Sequence, residues 1–237
     1  MNRFLNRKTS SELLLSLQQN GVPTDYDFER HRLLVQDASG QELAQFRLPI
    51  TVPVPPIATA EKVRYVILLV QSGSCAVGYF EDGKNLDHKV IRAYMVRKKQ
   101  GKSQIKHLKT KGKSRAGSRV RLEETLEFFE AINTRLQVYF KQHQVDRVAI
   151  SCSKILVPYL FGSQVATPFD QHDPRLLKIP MHVHTPIYEI LLEVNRFLLK
   201  GELIYEPQHH AFLASLLPFL QTENSHDSEG HISSLPN

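Results

Sequence analysis

The apolar residues of this chain fall into short runs first and helically spaced stripes later. Val63–Val70 is a nearly continuous apolar run, the pattern of a strand buried on both faces. The turn Gln71-Ser72-Gly73-Ser74 follows, then a second apolar run at Cys75–Phe80. A further turn, Glu81-Asp82-Gly83-Lys84, leads to a third strand at Asp87–Val96. Three strands joined by tight turns predict an antiparallel meander. Leu122, Leu126, Phe129, Leu136 and Phe140 then recur at helical spacing. They predict a helix from a Ser118 cap to about Gln142, with Glu123, Glu124 and Glu127 in its early turns. Asp146–Cys152 reads as a strand, Ser153–Phe161 as a short helix and Leu176–Val183 as a strand. Pro186–Leu199 reads as a helix opened by its proline.

Upstream, a short amphipathic helix from about Ser10 carries Leu13, Leu14 and Leu17 on one side and stops near Gly21. Residues 26–50 alternate as a hairpin turning at Ser39-Gly40. Prolines at 49, 53, 55 and 56 then make 51–60 a connector. One more helix is expected up to Leu220, and the polar tail 221–237 is expected to be disordered. The expected fold is therefore α/β with a mixed sheet. A three-stranded meander is followed by alternating helices and strands over 61–220, behind a small N-terminal α+β appendage at 1–60.

Charge changes the picture more than composition does. The 41% hydrophobic and 23% charged fractions are those of an ordinary globular protein. No apolar run is long enough to cross a membrane. Leu13–Leu15 is too short for the core of a signal peptide, so a cytoplasmic location is expected. Cys75 and Cys152 each sit in a strand-like run and read as free thiols. The net charge of +6, however, is very unevenly placed. Thirteen of the 30 Lys and Arg lie between Lys89 and Arg121, where there is no acid, leaving 17 basic against 24 acidic residues elsewhere. The protein reads as an acidic body with one cationic arm, and such a block seeks phosphate.

The arm, Arg97–Ser118, interrupts an otherwise compact domain, and a loop of that length is usually functional or disordered. Extended, it could carry its tip on the order of 30 Å from the body. Near its start Gln100-Gly101-Lys102-Ser103-Gln104 forms a mostly neutral cluster framed by cations. A glutamine amide both donates and accepts without titrating, so it can orient water although it cannot serve as a conventional general base. Gly162-Ser163-Gln164 offers similar residues without a basic setting, and its glycine is explained as a helix cap. His182 and His184 would share one face of a strand, with His172, His209 and His210 elsewhere, but no zinc-site spacing supports them. The first strand ends in Gln71-Ser72, where a ribonuclease-H-like enzyme would carry an aspartate, which disfavours a two-metal nuclease. No cofactor or metal is expected.

The run Tyr94-Met95-Val96-Arg97-Lys98-Lys99-Gln100-Gly101-Lys102-Ser103-Gln104, with Arg115-Ala116-Gly117-Ser118 opening a long helix, resembles the Vms-like release-factor family. That family is similar to the middle domain of eukaryotic and archaeal class I release factors, with its ribonuclease-H-like architecture and Gly-Gly-Gln loop. The likeness covers about Val63–Leu199, including Ile179-Pro180, and is that of a compact, bacterial version without zinc-finger or ankyrin appendages. It implies a monomeric peptidyl-tRNA hydrolase acting on stalled large ribosomal subunits in ribosome quality control. Gln104 takes the place of the catalytic glutamine, Gly101 that of the flexible glycine, and Ser103 lies between them in the motif. Lys102 stands where eukaryotic members carry a second glycine. Arg97, Lys98 and Lys99 are expected to contact ribosomal or transfer RNA. The remaining cations of the arm, Lys102, Lys106, Lys109, Lys111, Lys113, Arg115 and Arg119, are candidates for the same contact. Cleavage of the tRNA near its CCA end, or ribosome or tRNA binding without catalysis, are the alternatives to ester hydrolysis.

Overall fold

The computed structural model describes residues 1–52, 62–93 and 113–216, with side chains from residue 123 onward in the last span. In chain order its elements are β1 (Asn2–Leu5), α1 (Arg7–Gln19), β2 (Thr24–Asp27), β3 (Arg32–Gln36), β4 (Glu42–Arg47), β5 (Arg64–Gln71), β6 (Ser74–Glu81) and β7 (Lys84–Arg92). Then come α2 (Lys113–Gln142), β8 (Arg147–Cys152), α3 (Val157–Phe161), β9 (Leu176–Lys178), α4 (Tyr188–Leu198), β10 (Gly201–Tyr205) and α5 (His210–Leu216). They form two compact units, each with its own sheet.

The first unit is an antiparallel sheet in the order β1-β10-β4-β3-β2. One face of it is apolar: Leu33, Val35, Phe46, Leu203 and Tyr205 pack with Leu13 and Leu17 of α1 and Leu213 of α5. The helix expected near Ser10 starts earlier, because Asn6 caps it by accepting from the Thr9 amide at 2.9 Å. The hairpin around Ser39-Gly40 is present as β3 and β4. Asp37 shapes it by accepting from the amides of Ser39 at 2.8 Å and Gln41 at 2.9 Å. One expectation fails here. Residues 201–205, expected in a last helix of the main domain, are instead a strand between β1 and β4. The sheet formed by residues 1–50 has a vacant lane that only a distant segment can fill, and Leu203 and Tyr205 alternate to suit it.

The second unit is a mixed sheet, β7-β6-β5-β8-β9. β5, β6 and β7 make the expected meander, and β8 and β9 add to it in parallel. The turn between β6 and β7 uses Asp82 and Gly83, both at positive φ, which fits a tight hairpin. β5 is central and buried on both faces. Val66, Leu68 and Val70 join Phe128, Phe129, Ile132, Leu136 and Tyr139 of α2 in the main core. Tyr65, Ile67 and Leu69 point the other way, toward the face where α4 packs: Tyr65 bonds to Asn195, and Gly78 of β6 lies under Leu191.

Several boundaries differ from those expected: β7 already begins at Lys84 and α3 only at Val157. α2 starts at Lys113, so Ser118 lies inside it rather than at its cap, and the three glutamates fall beyond its first two turns. Lys, Arg and Ala are good helix formers and no proline intervenes, so the helix runs back through Gly117. β9 stops at Lys178 instead of Val183, close to Pro180, which has no amide hydrogen for the ladder. α4 begins at Tyr188, two residues after Pro186. Residues 53–60 of the expected connector 51–60, the end of the expected last helix at 217–220, the tail 221–237 and the end of the third strand, 94–96, lie outside the described residues.

Candidate nucleic-acid interface

The four residues Gln71–Ser74, between the first two strands of the mixed sheet, are the point to which the arm is rooted. Ala93, the residue after β7, donates its amide to the Gly73 carbonyl at 3.0 Å. Gln71 donates its side-chain amide to the Val183 carbonyl at 2.7 Å, and the Ser74 hydroxyl donates to the Pro186 carbonyl at 3.1 Å. β8 ends at Cys152, in register with Val70. The carboxyl ends of β5, β7 and β8 therefore share one edge, which is where open α/β sheets place their ligands.

The chain comes back through α2, which passes this edge near Phe129. α2 lies antiparallel to β5: its Phe129 stacks on Tyr159 just beyond β8, while His143 near its far end stacks on Tyr79, opposite Val66. At 1.5 Å per residue its 30 residues span about 45 Å. Its amino end, with no acid in the first turn and with Lys113, Arg115 and Arg119 in its first two turns, brings the positive pole of the helix dipole to a cationic segment. That combination is repulsive until an anion sits there, and it adds to the field of the arm.

The structure places the candidate residues unevenly. Gln104, Gly101, Ser103, Arg97, Lys98, Lys99, Lys102, Lys106, Lys109 and Lys111 lie outside the described residues. What is described is the frame from which they depart and to which they return. Gly162-Ser163-Gln164 is structural. The Gly162 amide closes α3 on the Pro158 carbonyl at 2.9 Å, and Asn133 of α2 donates to Leu160 at 2.8 Å and Val165 at 2.7 Å. His209 donates to the Leu43 carbonyl and His210 bonds to Tyr205, so both serve packing in the first unit. Gln71, singled out only as standing in for an aspartate, is a staple. His182 and His184, noted for their spacing, flank the residue it holds, with ring centroids 4.2 Å apart. Among the described residues no group of three or more His, Cys, Asp or Glu could hold a metal ion. No described helix is long and apolar enough to cross a membrane.

No curated protein matches the chain. Among solved structures, the Vms1 mitochondrial localization core aligns over 87% of this chain and 86% of that one, at 10% identity and a TM-score of 0.41. The sequence model of the Bacteroidetes VLRF1 release factor matches residues 65–206. That interval is more than half of the chain and takes in the mixed sheet from Tyr65 on, both roots of the arm and the whole of α2. The chain belongs to the Bacteroidetes VLRF1 release factor family.

Proposed function

We propose that this protein is a ribosome-associated release factor that frees nascent chains from peptidyl-tRNA on stalled large ribosomal subunits. The family match across the arm and its frame carries the reading. The departure of the arm from the carboxyl edge of the sheet supports it, since a cationic tether anchored at Ala93 can deliver a side chain without losing its hold on the body. Gln104 orients a water whose oxygen attacks the ester carbonyl. The bond to the ribose 3′-oxygen breaks, that oxygen takes a proton, and the peptide leaves with a free carboxylate. One well-placed donor to the developing oxyanion is worth about 10²–10³ in rate. Gly101 supplies backbone freedom beside the sugar, and Ser103 and Lys102 line the approach. Arg97, Lys98 and Lys99 hold RNA phosphate, as do the later cations of the arm.

The test is incubation of isolated large subunits bearing peptidyl-tRNA with the wild-type protein and with Gln104→Ala. Released peptide with intact tRNA, lost in the variant, is the expected result. Peptide released with terminal nucleotides still attached, beside a shortened tRNA, would mean that the same loop cleaves near the CCA end, with Gln104 positioning a ribose 2′-hydroxyl. Binding without either product would leave a non-catalytic factor.

A further inference from the structure

Residues 182–186 form a strap across the ends of β5 and β6. Val183 and Pro186 are its buried points, and each has its carbonyl held by a side chain from the Gln71–Ser74 turn: Gln71 at 2.7 Å and Ser74 at 3.1 Å. Pro180 and Pro186 stiffen its two ends. His182 and His184 are exposed, on either side of buried Val183. Their rings meet edge to face at 84°. Packing explains Val183 but gives the fold no need for two imidazoles. Among the described residues no third metal ligand joins them. From Pro174 to Tyr188 the sequence carries no acid. The strap also rests on the same turn that receives Ala93, where the arm departs.

We propose that His182 and His184 bind an RNA phosphodiester beside the root of the arm, holding the substrate RNA while the arm reaches for the ester. An imidazole N–H donates to a phosphate oxygen whether the ring is neutral or charged. Gln71 is the positioning residue: it presents the two rings by fixing the carbonyl between them. The end of β5, where a metal nuclease would place a carboxylate, thus serves to build an anion contact. This inference rests on the release-factor reading and names where on the protein the RNA is held. The phosphodiester could belong to the acceptor arm of tRNA or to ribosomal RNA, and two binding targets separate these.

The experiment measures binding of the full chain to a CCA-ended acceptor stem-loop and to isolated large subunits. The proteins compared are wild type, His182→Ala with His184→Ala, and His182→Lys with His184→Lys. The alanine pair should lose roughly tenfold in affinity, the scale of one hydrogen bond to a charged group. The lysine pair should bind at least as well as wild type. Loss on the stem-loop places the phosphodiester in tRNA, and loss on subunits alone places it in ribosomal RNA. Unchanged binding by the alanine pair, or a lysine pair as weak as alanine, overturns the contact while leaving the release-factor reading intact. A wild type that binds neither target overturns both. Gln71→Leu, read beside a thermal melt, should reproduce the alanine defect in a folded protein.

Discussion

The phenol of Tyr65, at the start of the central strand, donates to the side-chain oxygen of Asn195 on α4 at 2.5 Å, and both residues are buried. The Asn195 amide in turn donates to the Gly83 carbonyl at 2.9 Å, so one side chain links the helix to the strand and to the β6–β7 turn. Burial pushes the Tyr65 hydroxyl up, which keeps it a neutral donor. Tyr65→Phe keeps the ring stacked on Phe80 and leaves the asparagine oxygen without this donor. A loss of about 1–3 kcal/mol is expected, measured by urea unfolding. An unchanged midpoint would show that water replaces the phenol freely.

Gly78 sits where β6 passes beneath α4. A Cβ there would lie 2.8 Å from Leu191 Cδ2, 2.9 Å from Phe80 Cε2 and 3.2 Å from Asn85 Nδ2. Gly78→Ala should therefore cost about 1–3 kcal/mol through overpacking, despite the better strand propensity of alanine. Combining it with Leu191→Ala should give a total below the sum of the two single losses, because the second change removes the obstruction. Additive costs in a thermal melt would contradict that contact.

Cys75 and Cys152 flank Val70 in one row of the sheet, on the face covered by α2. With strands about 4.8 Å apart, their Cα atoms are separated by nearly 10 Å, beyond the reach of a disulfide. Burial pushes the Cys152 thiol up to about 11 and that of Cys75 higher. Both should resist alkylation in the native protein at pH 8, with Cys152 reacting first because it is partly exposed. Mass spectrometry after oxidation should find no bond between them.

Arg175 grips Asp173 with two hydrogen bonds, at 2.9 and 2.6 Å, and this holds the carboxyl below its usual range. A folded value below the unfolded one means that the stabilisation is complete above the unfolded value, near 3.9, and is lost as pH falls through the folded value. The pair is partly exposed, Arg175 at 38% and Asp173 at 10%, so Asp173→Asn should cost on the order of 1 kcal/mol at pH 7. The difference from wild type should close as pH is lowered below about 4. A gap that persists in acid would assign the effect to packing.

For the arm, charge reversal at Lys98, Lys99 and Lys106 should weaken ribosome binding. The wild-type affinity should fall steeply with added salt as counterions compete for phosphate. The reversed variant should show a shallower slope, measured by co-sedimentation across a salt series. A flat wild-type response would argue against phosphate contacts.

Much of the fold could be read from local pattern. The run Val63–Val70, the Asp82-Gly83 turn and the stripe through Phe129 and Leu136 each carry their own period, and each formed the expected element. Boundaries were harder, because a helix that can start at Lys113 or Ser118 is decided by propensities of a few tenths of a kcal/mol. The basic arm and the Gln104 motif rest on composition and sequence pattern alone, and residues 94–112 lie outside the described residues.

The sequence by itself determined an acidic body, a mixed sheet and a cationic segment between its third strand and its long helix, since charge and periodicity are properties of neighbours along the chain. The tertiary structure decided what lies beside what. It put Gly201–Tyr205 between β1 and β4, drew the Gln71 amide to Val183, and set Ala93, where the arm departs, on the Gly73 turn. Glu202 meets Phe4 and Gln71 meets Val183 across long stretches of chain, and such pairings arise only when distant segments compete to satisfy the same backbone groups.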